Sequence, residues 1–452
     1  MKKYATLLLA ILVVSSAFLN FLPHQNYKYP LHVDEWVHFQ FSNHLSNNSP
    51  LYLGGEVYSL EGGFHFLLAT LNSLGISYLI MFTFFASLVT ILICLGVFIL
   101  ARKLFGETAA LFSVLFVVLL KSTVALLGPV FLVPMAVGLF FIPVAVYLVH
   151  IKSSAWVLIL SSTLIIHPPT ALALLLLINT QFITEKKFNA KNILLQGLSG
   201  LIALPFYLPF FFERGADSVN ALSFTIISGA LFIPSFLGYF ITAIIAAGIY
   251  FSTSKKKYFI AASSLVLLFF IILFYKFKIE FFLPYRRTLM YLFIIFAISF
   301  GLGCAEIISL FRSKKIKIII TIILSVLILV FSLPQKLESN SPIYHIINEE
   351  DFRALSYIKE NTPEESIVLA DPWKSNAITP IAERQVYSRI VQGPSRESEA
   401  KNEQARIFFA NNCQDTAFLE QNNISVIYGK CSSQNLQEVY PNVHRFQSAA
   451  AS

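Results

Sequence analysis

The sequence predicts a multi-spanning α-helical membrane protein of about 11 transmembrane helices, with a small extracytoplasmic α/β domain at the C-terminus. Three observations predict it. Only 13% of the 452 residues are charged, against about 25% in a soluble domain, and 56% are hydrophobic. Apolar runs follow one another to about residue 331, separated by short basic clusters of the kind that face the cytosol. From Ser332 onward the composition turns to charges, Asn, Gln and Ser. The net charge of +8 resides in those short clusters, so it does not imply a nucleic-acid partner.

Met1-Lys-Lys opens an apolar run to Leu22 with no small-residue cleavage site after it, and this reads as a retained signal anchor with its N-terminus inside. Residues 23–63 then form the first external loop. The stretch from Phe64 to Leu100 exceeds one span, so a half-inserted helix over Phe64–Leu74 precedes a full span over Ser77–Leu100. Further spans are expected over Ala109–Leu120, Phe131–His150, Trp156–Ile166, Thr170–Ile183, Ile193–Phe212, Leu231–Tyr250, Phe259–Tyr275, Thr288–Leu310 and Ile318–Phe331. Val219–Ala230 reads as a re-entrant or interfacial piece.

Charge tests this order. Lys2-Lys3, Arg102-Lys103, Lys152, Lys186-Lys187, Lys255–Lys257 and Arg312–Lys317 all fall on one side, which places the C-terminal region outside. Lys276, Lys278, Arg286 and Arg287 are the external exception. The resulting division is a transmembrane domain over 1–333, an external soluble domain over 334–448 and a tail over 449–452. In the soluble part, Asp351–Glu360 reads as a helix ended by Asn361-Thr-Pro363. Ser366–Ala370 and Ser425–Tyr428 read as strands. Cys94 and Cys304 lie in apolar runs and read as inert. Cys413 and Cys431 could form a disulfide if their region is external, or remain two thiols.

Charge is scarce here, so dense polar clusters need a reason. Leu31-His-Val-Asp-Glu-Trp-Val-His38 places adjacent carboxylates, Asp34 and Glu35, among His32, Trp36 and His38 beside the membrane. On a helix, Asp34 and His38 would share a face. A plainer reading makes the two acids caps of a surface helix. Arg286 and Arg287 could bind phosphate through their planar forks or anchor a span end in lipid headgroups. His65 and His167 fall at external span ends, and His167-Pro-Pro169 cannot continue a regular helix. Glu61 could be a second acid in a cleft, although a loop residue is the plainer reading. Trp373 and Arg384 could touch an acceptor, although a packed ring and a surface residue are the plainer readings.

Four stretches carry a family resemblance. They are His32-Val-Asp-Glu-Trp36, Ser59-Leu-Glu-Gly-Gly-Phe-His65, Leu283-Pro-Tyr-Arg-Arg287, and Leu355–Pro363 with Asp371-Pro-Trp373 and Glu383–Tyr387. Their order and placement resemble the GT-C superfamily of membrane glycosyltransferases, which take sugars from polyprenyl-phosphate carriers. The last stretch is also similar to catalytic subunits of oligosaccharyltransferase. That family carries Trp-Trp-Asp-Tyr-Gly where this chain has Ala370-Asp-Pro-Trp-Lys374, a departure that argues against reading a protein N-glycosylation sequon.

The resemblance implies a plasma-membrane glycosyltransferase that works on the extracytoplasmic side, with inversion. Its donor would be a polyprenyl-phosphate sugar and its acceptor a lipid, glycan or protein. Asp34 would be the general base with Glu35 as the other candidate, Arg286 and Arg287 would hold the donor phosphate, and His32, His38, His65 and His167 could line the cleft. No cofactor is implied with certainty, and His32, Asp34 and His38 could hold a divalent cation, Mg or Mn. An oligosaccharyltransferase or polysaccharide-assembly protein is the alternative. A transporter fits less well, because the spans are nearly free of mid-membrane charge.

Overall fold

A computed structural model describes residues 2–47, 60–123, 126–214, 232–277, 283–337, 345–390 and 396–446. The expected re-entrant piece at Val219–Ala230, Lys278 and the tail 449–452 lie outside the described residues. By contact the chain divides into two compact units. One comprises Met1–Gln25 with Leu51–Asn340, the other Asn26–Pro50 with Ser341–Ser452.

The first unit is helical. Its elements are α1 (Lys2–Phe21), α3 (Gly62–Ser73), α4 (Tyr78–Phe105), α5 (Glu107–Val118), α6 (Pro134–His150), α7 (Trp156–Ile166), α8 (Pro168–Thr184) and α9 (Ala190–Arg214). After these come α10 (Ile233–Leu237), α11 (Tyr239–Ser254), α12 (Tyr258–Phe277), α13 (Tyr285–Ser309) and α14 (Lys314–Leu337). Helix α2 (Val33–Asn47) belongs to the other unit. Each expected span falls on helix, and the span expected over Leu231–Tyr250 is interrupted at Gly238, whose φ of +87° suits glycine. Five apolar helices, Tyr4–His24, α4, α12, α13 and α14, are long enough to cross a bilayer. The chain is a multi-pass membrane protein.

Helix α13 is the centre of this unit. It is apolar on every side and buried without a break from Thr288 to Cys304, as a helix surrounded by other helices must be. Glycine makes that crowding feasible. A Cβ at Gly301 would lie 2.1 Å from the Ala109 carbonyl oxygen of α5, and one at Gly303 would lie 2.3 Å from that of Ile244 on α11. Backbones that approach so closely suit a bilayer, where association rests on packing of small residues. Helices α1 and α14 are the opposite case. Leu7, Leu8, Ile11 and Val14, with Ile318, Ile322 and Phe331, stay exposed, as lipid-facing side chains would.

The second unit contains α2, α15 (Glu349–Asn361), β1 (Ile367–Ala370), α16 (Ser375–Ala382), β2 (Gln385–Val386), α17 (Arg396–Ala410), α18 (Thr416–Gln421), β3 (Ile424–Tyr428), β4 (Leu436–Tyr440) and β5 (Val443–Phe446). The sheet runs β2-β1-β3-β5-β4, with β2, β1 and β3 parallel and the other pairings antiparallel. Asn348 and Asp351 close a reciprocal capping box on α15. Cys413 and Cys431 are joined by a disulfide across a separation of 18 residues.

The first loop groups by contact with this unit, although it was expected with the transmembrane domain. Side chains explain why. Helix α2 packs on α16, with Trp36 fully buried, and Tyr27 stacks on His345 at 4.1 Å. The Tyr29 hydroxyl donates to Glu349 at 2.7 Å, and Arg389 donates to Gln40 at 2.6 Å.

Candidate active site

The acidic loop lies wholly in the second unit. Asp34 and Glu35 occupy the first turn of α2, where the helix dipole favours negative charge. Their surroundings differ. Glu35 is fully buried, and its Oε2 accepts the backbone N–H of Leu31 at 2.7 Å and of His32 at 3.1 Å. It holds the turn that leads into the helix. Asp34 retains 17% side-chain exposure. His32 Nδ1 accepts the Asp34 N–H at 3.1 Å, so that nitrogen carries a lone pair. The 3.6 Å between Nδ1 and Asp34 Oδ1 is then not a charged pair. Asp34 and His38 stand one turn apart on α2, and His38 is buried.

A second polar cluster lies wholly in the first unit. Helix α7 ends at Ile166, and His167 caps the N-terminus of α8, with Nδ1 accepting the Thr170 N–H at 3.2 Å. Nδ1 is also hydrogen-bonded to the Thr170 hydroxyl at 2.5 Å. An acceptor at Nδ1 puts the imidazole proton on Nε2, which faces Glu61 Oε1 at 3.3 Å. Arg287 Nη1 lies 4.0 Å from the same oxygen. Thr170 bonds on to the buried Tyr291 hydroxyl at 3.0 Å.

Gly63 makes this meeting feasible. A Cβ there would lie 2.2 Å from Ile165 Cγ2 and 2.6 Å from the Ile165 carbonyl oxygen. The start of α3 therefore rests directly on the end of α7, which brings Glu61 beside His167. Glu61, read from sequence as a loop acid, joins His167 and Arg287. His65 is buried one turn into α3, and Arg286 is half-buried beside Arg287.

Two side chains reverse their expected settings. Trp373 is 36% exposed, not packed. Arg384 is buried, not superficial. Its guanidinium donates to the Lys359 carbonyl at 2.8 Å, the Thr362 carbonyl at 2.5 Å and Thr362 Oγ1 at 3.1 Å. It staples the end of α15, a task a short motif does not advertise. Sequence reasoning also passed over Lys336. It is buried near the end of α14, donating to Asn20 Oδ1 and to the Leu120 carbonyl, each at 2.8 Å. A lone Asn inside the apolar run of α1 was the available signal.

Among the described residues no three His, Cys, Asp or Glu side chains converge as metal ligands. His32 Nδ1, one donor of the expected set, is taken by the backbone.

No protein-family model matches the chain, and no curated protein sequence matches it. Solved structures do. The archaeal oligosaccharyltransferase AglB of Archaeoglobus fulgidus, in complex with an inhibitory peptide and a dolichol-phosphate, aligns with a TM-score of 0.56 at 14% identity, over 94% of this chain and 69% of that one. The same organism's oligosaccharyltransferase in complex with Zn and sulfate gives 0.55 at 14% identity, over 93% and 67%. Its apo form gives 0.57 at 14% identity, over 94% and 69%. The chain has the fold of AglB. The likeness is one of fold, and it extends over almost the whole of this chain.

Proposed function

We propose that the protein is a membrane glycosyltransferase that moves a sugar from a polyprenyl-phosphate donor to an acceptor hydroxyl outside the cytosol, with inversion. The observation that carries the reading is the AglB fold over 94% of the chain. The transferred group would pass in one displacement. The acceptor oxygen forms a bond to the anomeric carbon, its proton goes to Asp34, and the bonding pair of the broken carbon–oxygen bond leaves on the donor phosphate. Phosphate departs readily, so one base and cationic stabilisation suffice, without the second carboxyl that a glycosidase needs.

Asp34 suits the base better than Glu35. Its side chain is 17% exposed, whereas that of Glu35 is fully buried and accepts two backbone N–H groups. Arg286 and Arg287 are assigned to the donor phosphate, since both are half-buried and guanidinium forks match phosphate oxygens. Glu61 and His167 orient Arg287 in this reading. No step passes through a metal. The Cys413–Cys431 disulfide supports an oxidising, extracytoplasmic setting for the second unit. The basic clusters support an orientation with the N-terminus inside, and the plasma membrane is the proposed location.

The fold likeness also favours a second reading, transfer of an oligosaccharide rather than one sugar. AglB is an oligosaccharyltransferase, and its structure is in complex with an inhibitory peptide and a dolichol-phosphate. The purified full chain in lipid nanodiscs, offered polyprenyl-phosphate monosaccharides and polyprenyl-linked oligosaccharides, separates the two. Turnover of the first supports single-sugar transfer, and turnover of the second alone supports the oligosaccharide reading. Hydrolysis or transfer of neither, in protein that retains its fold, removes both.

A further inference from the structure

The second unit contains a cavity that the proposed reaction does not use. Parallel strands β1 and β3 end side by side, at Ala370 and Tyr428. Open α/β sheets hold ligands outside the carboxyl ends of parallel strands, where the outgoing loops diverge. Here that position is a cavity of about 390 Å³. Asp371 and Lys374 line it after β1, Tyr428 and Lys430 at the end of β3, Asp351 from α15, and Arg406 with Phe409 from α17. The volume falls within the roughly 300–1,000 Å³ of small-molecule sites.

The charges in it are unequal. Asp351 is spent internally, accepting the Asn348 N–H at 2.8 Å, Lys374 Nζ at 2.6 Å and the Tyr428 hydroxyl. Asp371 is likewise turned to the backbone, with Oδ1 accepting the Trp373 N–H at 2.9 Å. Arg406 and Lys430 are exposed. Glu403 pairs with Arg406 at 3.6 Å, but that acid is 62% exposed and outside the lining, so the pair is weak and readily exchanged. The net invitation is to an anion. Phe409 supplies a flat apolar wall, held because Gly429 has no side chain. A Cβ there would lie 2.6 Å from the ring.

We propose that this cavity binds an acidic sugar residue. The carboxylate faces Arg406 and Lys430, the ring lies against Phe409, and the hydroxyls meet Asn442 and the polar rim. A guanidinium fork matches a carboxylate in two hydrogen bonds, and an aromatic face takes up the apolar side of a sugar ring. The assignment goes beyond the transfer reaction and does not depend on it.

Titration calorimetry on the full chain in detergent tests it, with glucuronate, glucose and inorganic phosphate as probes. Saturable glucuronate binding is expected, at least about tenfold tighter than glucose or phosphate, which is about 1.4 kcal/mol. Arg406→Ala and Lys430→Glu are each expected to weaken it about tenfold while the melting temperature stays put, because both side chains are exposed. Absence of saturable glucuronate binding overturns the proposal. So does equal binding of glucose or phosphate, or unchanged affinity when Arg406→Ala and Lys430→Glu are combined. None of these outcomes bears on sugar transfer, which the donor assay reads separately.

Discussion

Glu35 and Asp34 are neighbours in sequence, and the structure assigns them opposite jobs, which makes Glu35→Ala an informative change. The wild-type carboxylate receives two backbone N–H groups while fully buried. Hydrogen bonds to a charged group contribute about 1.5–3 kcal/mol each, so truncation removes about 3–6 kcal/mol from the turn before α2. Glu35→Gln keeps an acceptor oxygen and loses only the charge, about half as much. Asp34→Asn, at a partly exposed site, should shift stability by no more than about 0.5–1 kcal/mol. Amide hydrogen exchange on the full chain reads this at the Leu31 and His32 N–H groups. A loss of 3 kcal/mol in local stability speeds their exchange by more than about 100-fold. Unchanged exchange of those two amides in Glu35→Ala would refute the reasoning, and with it the ground for preferring Asp34 as the base.

Gly63→Ala should lower transfer activity and destabilise the first unit by about 1–3 kcal/mol, because its Cβ meets the Ile165 carbonyl oxygen at 2.6 Å. Gly62→Ala, with nothing within 4 Å, is the matched control, and equal melting temperatures for the two would contradict the packing account. Reducing Cys413–Cys431 across its 18-residue separation should cost the second unit about 3 kcal/mol by loop entropy, read as a lower melting temperature in dithiothreitol. Burial holds the Tyr27 and Tyr428 phenols above their ordinary value of about 10, helped at Tyr428 by the bond to Asp351. The folded chain then keeps protons that the unfolded chain releases, so stability is full below about pH 10 and falls as pH rises beyond it. Tyr428→Phe should flatten that alkaline decline, and an unaltered decline would place its origin elsewhere.

The helices were legible because an apolar run long enough to enter a bilayer has few other uses. What joined them was not. Nothing in Gly62-Gly63 announces that Ile165 will rest on it, since the contact joins segments about a hundred residues apart. Sequence therefore leaves Glu61 between a cleft acid and a loop residue, and the meeting with His167 and Arg287 favours the first. The acid pair shows the same limit at shorter range. Composition singled out Asp34-Glu35 together, but only the path of the chain at Leu31 and His32 separates a buried, capping carboxylate from a partly exposed one. Trp373 and Arg384 reversed their expected settings because burial follows from neighbours, and a lone guanidinium can be buried where four backbone carbonyls and a hydroxyl receive it.

The account's most exposed point is the identity of the proton acceptor. Single-turnover transfer, measured at saturating polyprenyl-phosphate sugar with wild type and Asp34→Asn, addresses it directly. The account predicts a rate lower by about 10²–10⁴-fold with donor affinity unchanged. A wild-type rate in Asp34→Asn would contradict it.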